Sequence, residues 1–311
     1  MTLRIAFLGN DPWSVPTLEA IADAPDLTLE LVVTNPPKAA GRGSRHTPTA
    51  VAIASRAWGT SFVEAQGVRE GAGADALADV HADVIVVVAY GELLTPATMG
   101  LAPHGALNLH FSLLPRWRGA APVQWALIGG DHVTGVTVML MDEGLDTGPI
   151  VSQRPEQVRP QDDAGSLGGR LAISGASLMV EVLRSVSREG VTATPQDPNA
   201  ATTAPRITKS ERVLDWSTSG AEIVRWVRAL APQPGATTTL RGGAVKVLAA
   251  EEDDGGTGEP GAIIAADASG VLVATRDGGV RLLVVAPAGR RRMDAAAWAR
   301  GARFAPGEHL G

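Results

Sequence analysis

The chain contains no cysteine among its 311 residues. That excludes disulfide staples, thiolate metal sites and a cysteine nucleophile together. No apolar run approaches the roughly 18 residues that a membrane-spanning helix needs. The N-terminal stretch MTLRIAFLGNDPW turns polar too early for a signal peptide. A soluble, cytoplasmic protein with no membrane partner is expected. Phosphate-cradling glycine motifs are missing as well. The first apolar segment runs into Gly9-Asn10-Asp11-Pro12 rather than G-x-G-x-x-G, and Gly41-Arg42-Gly43-Ser44 lacks the lysine of a phosphate loop. No nucleotide cofactor is expected. His104 and His110 have no carboxylate at a spacing that would complete a ligand set, so no metal site is expected. A G-x-S-x-G elbow is absent, so no covalent acyl-enzyme is indicated. A basic excess is lacking too: the net charge is −6, with 13 Lys/Arg against 21 Asp/Glu in residues 1–205 and 14 against 12 in residues 206–311. Any nucleic-acid contact is therefore local, and the basic candidates are Lys38, Arg42 and Arg45 in one loop and Arg290, Arg291 and Arg292 in another.

What the sequence does contain is a regular alternation of elements. LRIAFLG, LTLELVVTN, DVIVVVAYG, GALNLH and TGVTVMLMDEG read as strands, separated by segments of helical period such as VPTLEAIADA, PVQWALIGG and LGGRLAISGASLMVEVLRSV. DVIVVVAYG is continuously apolar and β-branched, as strands buried on both faces of a parallel sheet are. This predicts an α/β domain with an open, mostly parallel, Rossmann-like sheet and helices on both faces. VTATPQDPNAATTAP is rich in Pro, Thr and Ala and reads as a linker. Beyond it the pattern changes to one short helix and five short strands divided by turn signals, which predicts a small C-terminal β-barrel of the OB-like kind. The expected division is residues 1–189, a linker over 190–206, and 207–311.

One short stretch stands out. In NLHFSLLPRWRGAAP, Asn108 and His110 lie two apart at the carboxyl end of a strand. They share a face, at the edge where open α/β sheets bind ligands. The TGVTVMLMDEG strand leads into Asp142-Glu143-Gly144-Leu145-Asp146, a glycine-flanked loop that brings carboxylates toward the same crevice. Amide, imidazole and carboxylate form a coherent set of oxyanion donor, proton acceptor and orienting anion. Such a set suits direct attack of a neutral amine on a carbonyl.

Taken together, Asn108–Val151 resembles the folate-dependent formyltransferases, and the resemblance extends over nearly the whole chain. It is carried by N-x-H with SLLP and a downstream Asp, by RWRGAAP with MDEGLDTG, by the loop Pro36–Gly43, by RITKSERVLDWS and by GVRLLVVAPAGRRRM. The resemblance implies Asn108, His110 and Asp146 as the catalytic set and 10-formyltetrahydrofolate as the formyl-donating co-substrate. It implies a folate crevice formed by Val88, Ala89, Tyr90 and Gly91, by Ser112, Leu113, Leu114 and Pro115, and by Asp142 and Gly144. The narrower motifs imply that the acceptor is the α-amino group of methionyl initiator tRNA, gripped by Lys38, Arg42 and Arg45 and by Arg290, Arg291 and Arg292. An amino-sugar N-formyltransferase is the alternative within the family. The protein is expected to be a monomer acting in translation initiation. Phe111 stands where the family has a smaller residue, and it is expected to reshape the pocket.

Overall fold

The computed structural model describes residues 2–40, 45–305 and 307–311. It divides into two compact units, one of residues 1–122, 133–157 and 168–205, the other of residues 123–132, 158–167 and 206–311.

The first unit is built on a seven-stranded sheet. Its strands are β1 (Leu3–Gly9), β2 (Leu27–Thr34), β5 (Phe62–Glu64), β6 (Val84–Val88), β7 (Ala106–His110), β8 (Val133–Leu140) and β9 (Ile150–Gln157). Strands β3 (Lys38–Ala40) and β4 (Arg45–Thr47) form a separate antiparallel pair. The sheet order is β5-β2-β1-β6-β7-β8-β9. The first five are mutually parallel, while β8 runs antiparallel to β7 and β9 antiparallel to β8. The chain therefore reverses its direction of travel across the sheet between β1 and β6, the point at which doubly wound sheets open a crevice. Asn10 pins that point. Its amide donates to the Tyr90 carbonyl, and its Oδ1 accepts from the Asn35 N–H at 2.7 Å and from the Thr34 hydroxyl at 3.0 Å.

Helices α1 (Val15–Ala22), α2 (Ala50–Trp58), α3 (Ala72–Asp79) and α4 (Pro96–Met99) connect the parallel strands. Thr49 and Thr95 cap α2 and α4 through their hydroxyls, as first-turn N–H groups require. Next come α5 (Pro122–Ile128) and α6 (Ala164–Glu189). At 26 residues α6 is long and apolar enough to cross a membrane by length and composition, but it is mostly buried and serves as a core helix. Leu171, Met179 and Leu183 are fully shielded along it. Its glycines set the spacing: a Cβ on Gly175 would lie 2.7 Å from Leu109 Cδ2, and one on Gly168 would lie 2.1 Å from the Trp13 ring. Leu109 thus faces α6, so Asn108 and His110 face the other way.

On that other face Ala6, Leu8, Leu31, Val33, Ile85, Val87 and Ala106 pack with Leu77 and Leu94. Tyr90 belongs to this core, and its hydroxyl is buried with no hydrogen-bond partner among the described residues. Burial, and secondarily the charge of Glu92, push the phenol up to about 12, so it stays neutral under ordinary conditions.

The second unit contains α7 (Gly220–Leu230), β10 (Ala236–Leu240), β11 (Gly243–Asp253), β12 (Ile263–Asp267), β13 (Gly270–Ala274), β14 (Gly279–Pro287), β15 (Met293–Asp294) and α8 (Ala295–Ala302). The strands form one antiparallel sheet in the order β10-β11-β14-β13-β12, with β15 on β14. Its two edges are linked by the last residues of the chain rather than by each other. Gly311 N–H donates to Thr239 O at 3.1 Å, and Ile263 N–H donates to Glu308 O at 2.9 Å. Val227, Val247, Val273, Leu282 and Val285 fill the interior, with Trp216 and Trp298 beside them.

An unpartnered buried hydroxyl costs about 1–3 kcal/mol. Tyr90→Phe is therefore expected to leave stability unchanged or raised in denaturant unfolding. A loss above about 1 kcal/mol would mean that the hydroxyl has a partner after all.

Candidate active site

β7 lies between β6 and β8, with Asn108 opposite Val87 on one side and Met139 on the other. Its apolar neighbours make it a rigid mount, and the two polar side chains leave it on the same face. The Asn108 side chain is half-buried and makes no hydrogen bond to the described residues. His110 is buried, hydrogen-bonded at Nε2 and faced by a carboxylate at Nδ1. Nε2 lies 2.8 Å from the Trp117 carbonyl. A carbonyl only accepts, so Nε2 carries the proton there. Nδ1 faces Asp146 Oδ2 at 3.6 Å, the two side chains being only 6% and 13% exposed.

Asp146 arrives by an indirect route. Because β8 is antiparallel, it ends beside the start of β7, where Met141 N–H donates to Ala106 O at 2.8 Å. The loop then turns back across the face of the sheet. Asp142 Oδ1 accepts from the Gly144 N–H at 3.0 Å and the Thr147 hydroxyl at 2.7 Å, which closes the outer turn. Asp146 itself adopts φ +53°, and its Oδ2 also accepts the Gly119 N–H at 2.8 Å.

The segment after His110 is fixed by Thr137. That hydroxyl donates to Ser112 O at 2.6 Å and accepts from the Leu114 N–H and from Gln153 Nε2. Gln153 also donates to Leu114 O at 2.8 Å. Ser112 is fully buried and gives its proton to Arg116 O, so this nearby hydroxyl is no nucleophile. Leu114-Pro115 is cis. Arg116 stacks on the Trp117 ring at 4.3 Å, while Trp117 takes φ +63° and turns its carbonyl onto His110. Phe111 points away from His110. It is buried on the α6 side, edge-on to Trp13 at 5.7 Å, because residue 111 alternates to the opposite face from His110.

The remaining candidate residues fall into distinct groups. Val88, Tyr90, Ser112 and Leu114 are buried, and the carbonyls of Val88, Tyr90 and Leu114 already accept from Ser14, Asn10 and Gln153. Ala89, Leu113 and Pro115 are half-buried, whereas Gly91, Asp142 and Gly144 are exposed. Val88 lies opposite Leu109, which brings the 88–91 turn beside the end of β7. Lys38 is exposed on β3, opposite Thr47. Arg42 and the Arg45 side chain lie outside the described residues. Arg290, Arg291 and Arg292 are exposed between β14 and β15.

Sequence reasoning missed three parts of the site: the Trp117 carbonyl, the Gly119 N–H and Gln196. Two are backbone groups and carry no compositional signal. The third lies in a stretch read as a linker, where Gln196 Nε2 donates to Asp146 O at 2.9 Å and to Gly148 O at 2.7 Å.

Chemically, the arrangement offers a free amide donor two residues from a ring nitrogen that can take a proton beside a carboxylate. That combination stabilises an oxyanion and deprotonates an attacking amine.

Comparison with known proteins gives the family. The family model for formyl transferase matches residues 3–183, and that for the formyl transferase C-terminal domain matches residues 206–303. A methionyl-tRNA formyltransferase of Thermus thermophilus is 42% identical over 309 residues, covering 99% of each chain. One from Magnetococcus marinus is 39% identical over 308 residues, covering 99% of this chain and 98% of its own. Among solved structures, HypX from Aquifex aeolicus superposes with a TM-score of 0.66 at 18% identity, over 96% of this chain and 49% of that one. The sugar 3N-formyl transferase WlaRD, determined in the presence of dTDP and 5-N-formyl-THF, gives 0.67 at 15% identity, over 94% and 100%. At such identities the two structures share the fold alone. On the two family matches and the full-length relatives, the chain belongs to the formyl transferase family.

Proposed function

We propose that this enzyme transfers the formyl group of 10-formyltetrahydrofolate to the α-amino group of methionyl initiator tRNA. The observation that carries this reading is the end-to-end similarity to methionyl-tRNA formyltransferases, 42% over 99% of both chains and through the C-terminal sheet as well as the catalytic one. The sugar formyltransferase resembles the chain only as a fold.

In the proposed reaction the neutral amine attacks the formyl carbon and the carbonyl oxygen gains negative charge. The free Asn108 amide donates to that oxygen, a role worth about 3 kcal/mol of barrier. His110 takes the proton of the attacking amine at Nδ1, the nitrogen left with a lone pair by the Nε2–carbonyl bond. Asp146 stabilises the resulting imidazolium from 3.6 Å. A new C–N bond forms to the amine, the bond from the formyl carbon to N10 breaks, and the departing N10 requires one proton, the number released by the amine. The Trp117 carbonyl, rather than Asp146, then selects the tautomer.

Folate is read by the residues left accessible: Ala89, Gly91, Leu113, Pro115, Asp142 and Gly144. Val88, Tyr90, Ser112 and Leu114 support the crevice from beneath. Lys38, Arg42 and Arg45 on one element and Arg290, Arg291 and Arg292 on another are proposed to hold tRNA phosphates. The enzyme is proposed to act as a monomer. The substrate places the enzyme in the cytoplasm.

Formyl transfer assayed with methionyl initiator tRNA and, separately, with an amino-sugar nucleotide tests the assignment. Turnover of the sugar alone would overturn it. Asn108→Ala and Asp146→Asn are each expected to lower kcat by about 10²–10³-fold while circular dichroism and Tm stay at wild type. Near-normal rates in both would remove the catalytic set. Replacing Arg290, Arg291 and Arg292 by Ala is expected to raise KM for the tRNA, leave KM for folate unchanged, and reduce the salt slope of tRNA binding by about one per lost phosphate contact. An equal effect on both substrates would make these arginines structural.

A further inference from the structure

We propose that residues 194–204, which read as a linker, are a strap that fixes the catalytic geometry, with Gln196 as the positioning residue for Asp146. This inference rests on the role given to Asp146 above.

The amide of Gln196 uses its whole hydrogen-bonding capacity. Nε2 donates to the carbonyls of Asp146 and Gly148, and Oε1 accepts from Arg118 Nε at 3.0 Å and Nη2 at 2.8 Å. Two donors and two acceptor sites are all that an amide has. Only one orientation works, since a flip would set oxygen against two carbonyls and NH2 against a guanidinium. One side chain thus joins the loop carrying Asp146 to the segment carrying Trp117 and Gly119.

The backbone of the strap makes the same connection on either side. Thr194 and Ile150 exchange both N–H···O bonds at 2.8 Å. Further along, Arg118 N–H donates to Thr202 O at 2.8 Å, Ala204 N–H donates to Arg118 O at 2.7 Å, and Trp117 N–H donates to the Thr202 hydroxyl at 2.9 Å. Gly119 lies so close beneath the strap that a Cβ there would fall 2.6 Å from Ala204 O. Its N–H nevertheless holds the Asp146 carboxylate.

Asp146 and Trp117 both need this support. Each is a non-glycine residue at positive φ, a conformation costing about 1–2 kcal/mol that persists only where surrounding contacts over-determine it. At Asp146 those contacts are the Gly119 N–H on the carboxylate and Gln196 on the carbonyl. Loosening the second lets the backbone relax, and the carboxylate moves relative to His110. A shift of that size changes turnover without removing any group that touches substrate.

Gln196→Glu tests the inference. It keeps the shape and still accepts from Arg118, but it sets an acceptor against the two carbonyls. Turnover with 10-formyltetrahydrofolate and methionyl-tRNA is expected to fall about 10–100-fold in kcat, as misplacement by about an ångström does, with KM for both substrates within about threefold. Gln196→Met, which removes the donors without adding charge, should show the same split if the Glu variant fails to fold. If Gln196 acts through Asp146, adding Gln196→Glu to Asp146→Asn should cost less than about a further twofold. A kcat within about twofold of wild type in both single variants, or an undiminished loss in the Asp146→Asn background, would overturn the positioning role. Near-normal turnover of Asp146→Asn alone would instead remove the catalytic role of Asp146, and this inference with it.

Discussion

The imidazole of His110 stands between two fixed acceptors, a backbone carbonyl on Nε2 and a carboxylate facing Nδ1. Gly119, Gln196 and Thr202 help to keep those acceptors where they are. A ring bonded on one side alone can rotate about its own axis, and an exposed ring can be met by water. Here the mount is a central strand, the ring is buried, and each nitrogen has a distinct neighbour, so the proton's position follows from geometry.

Holding both acceptors requires unusual backbone. Trp117 and Asp146 occupy the left-handed region, and Ala89, at the end of the neighbouring β6, does so too. Three such residues in turns around one crevice are a concentration of strain that the sheet and its hydrogen bonds must offset. The offset comes from Thr137 and Gln153 under the segment after His110, from Asn10 across the ends of three strands, and from the 194–204 segment over the top. These hydrogen bonds fix the two loops in one arrangement.

Much of this was legible in the sequence. Four of the five parallel strands, β1, β2, β6 and β7, announce themselves through apolar runs. Three-residue β5 is too short to show a period, and TGVTVMLMDEG became the antiparallel β8. Asn108 and His110 show as two polar residues breaking such a run at the right period. The turn-rich spacing of the C-terminal strands predicts a small β-barrel, and the structure has one antiparallel sheet there. What stayed hidden has physical reasons. β9, reading IVSQRPEQ, is a half-exposed edge strand with little apolar content, so no period marks it. The closing of the second sheet depends on backbone bonds from residues 308–311, which any residue type can make. Asp146 needed the family resemblance, because Asp142 and Glu143 in the same loop are equally acidic. The 190–206 segment has the composition of a linker and the hydrogen bonding of a structural element; two side chains in it, Gln196 and Thr202, add to its backbone bonds. Phe111 and Tyr90 both proved to be core residues, and sequence alone does not say which face of a turn an aromatic will take.

The account turns on which nitrogen of His110 holds the proton. Long-range proton–nitrogen NMR of isotope-labelled histidine, with the His110 signals assigned by their loss in His110→Gln, reads this directly. In the neutral ring the proton should reside on Nε2, leaving Nδ1 bare and turned to Asp146. A neutral ring protonated on Nδ1, with Nε2 bare, would contradict the geometry from which the mechanism is built.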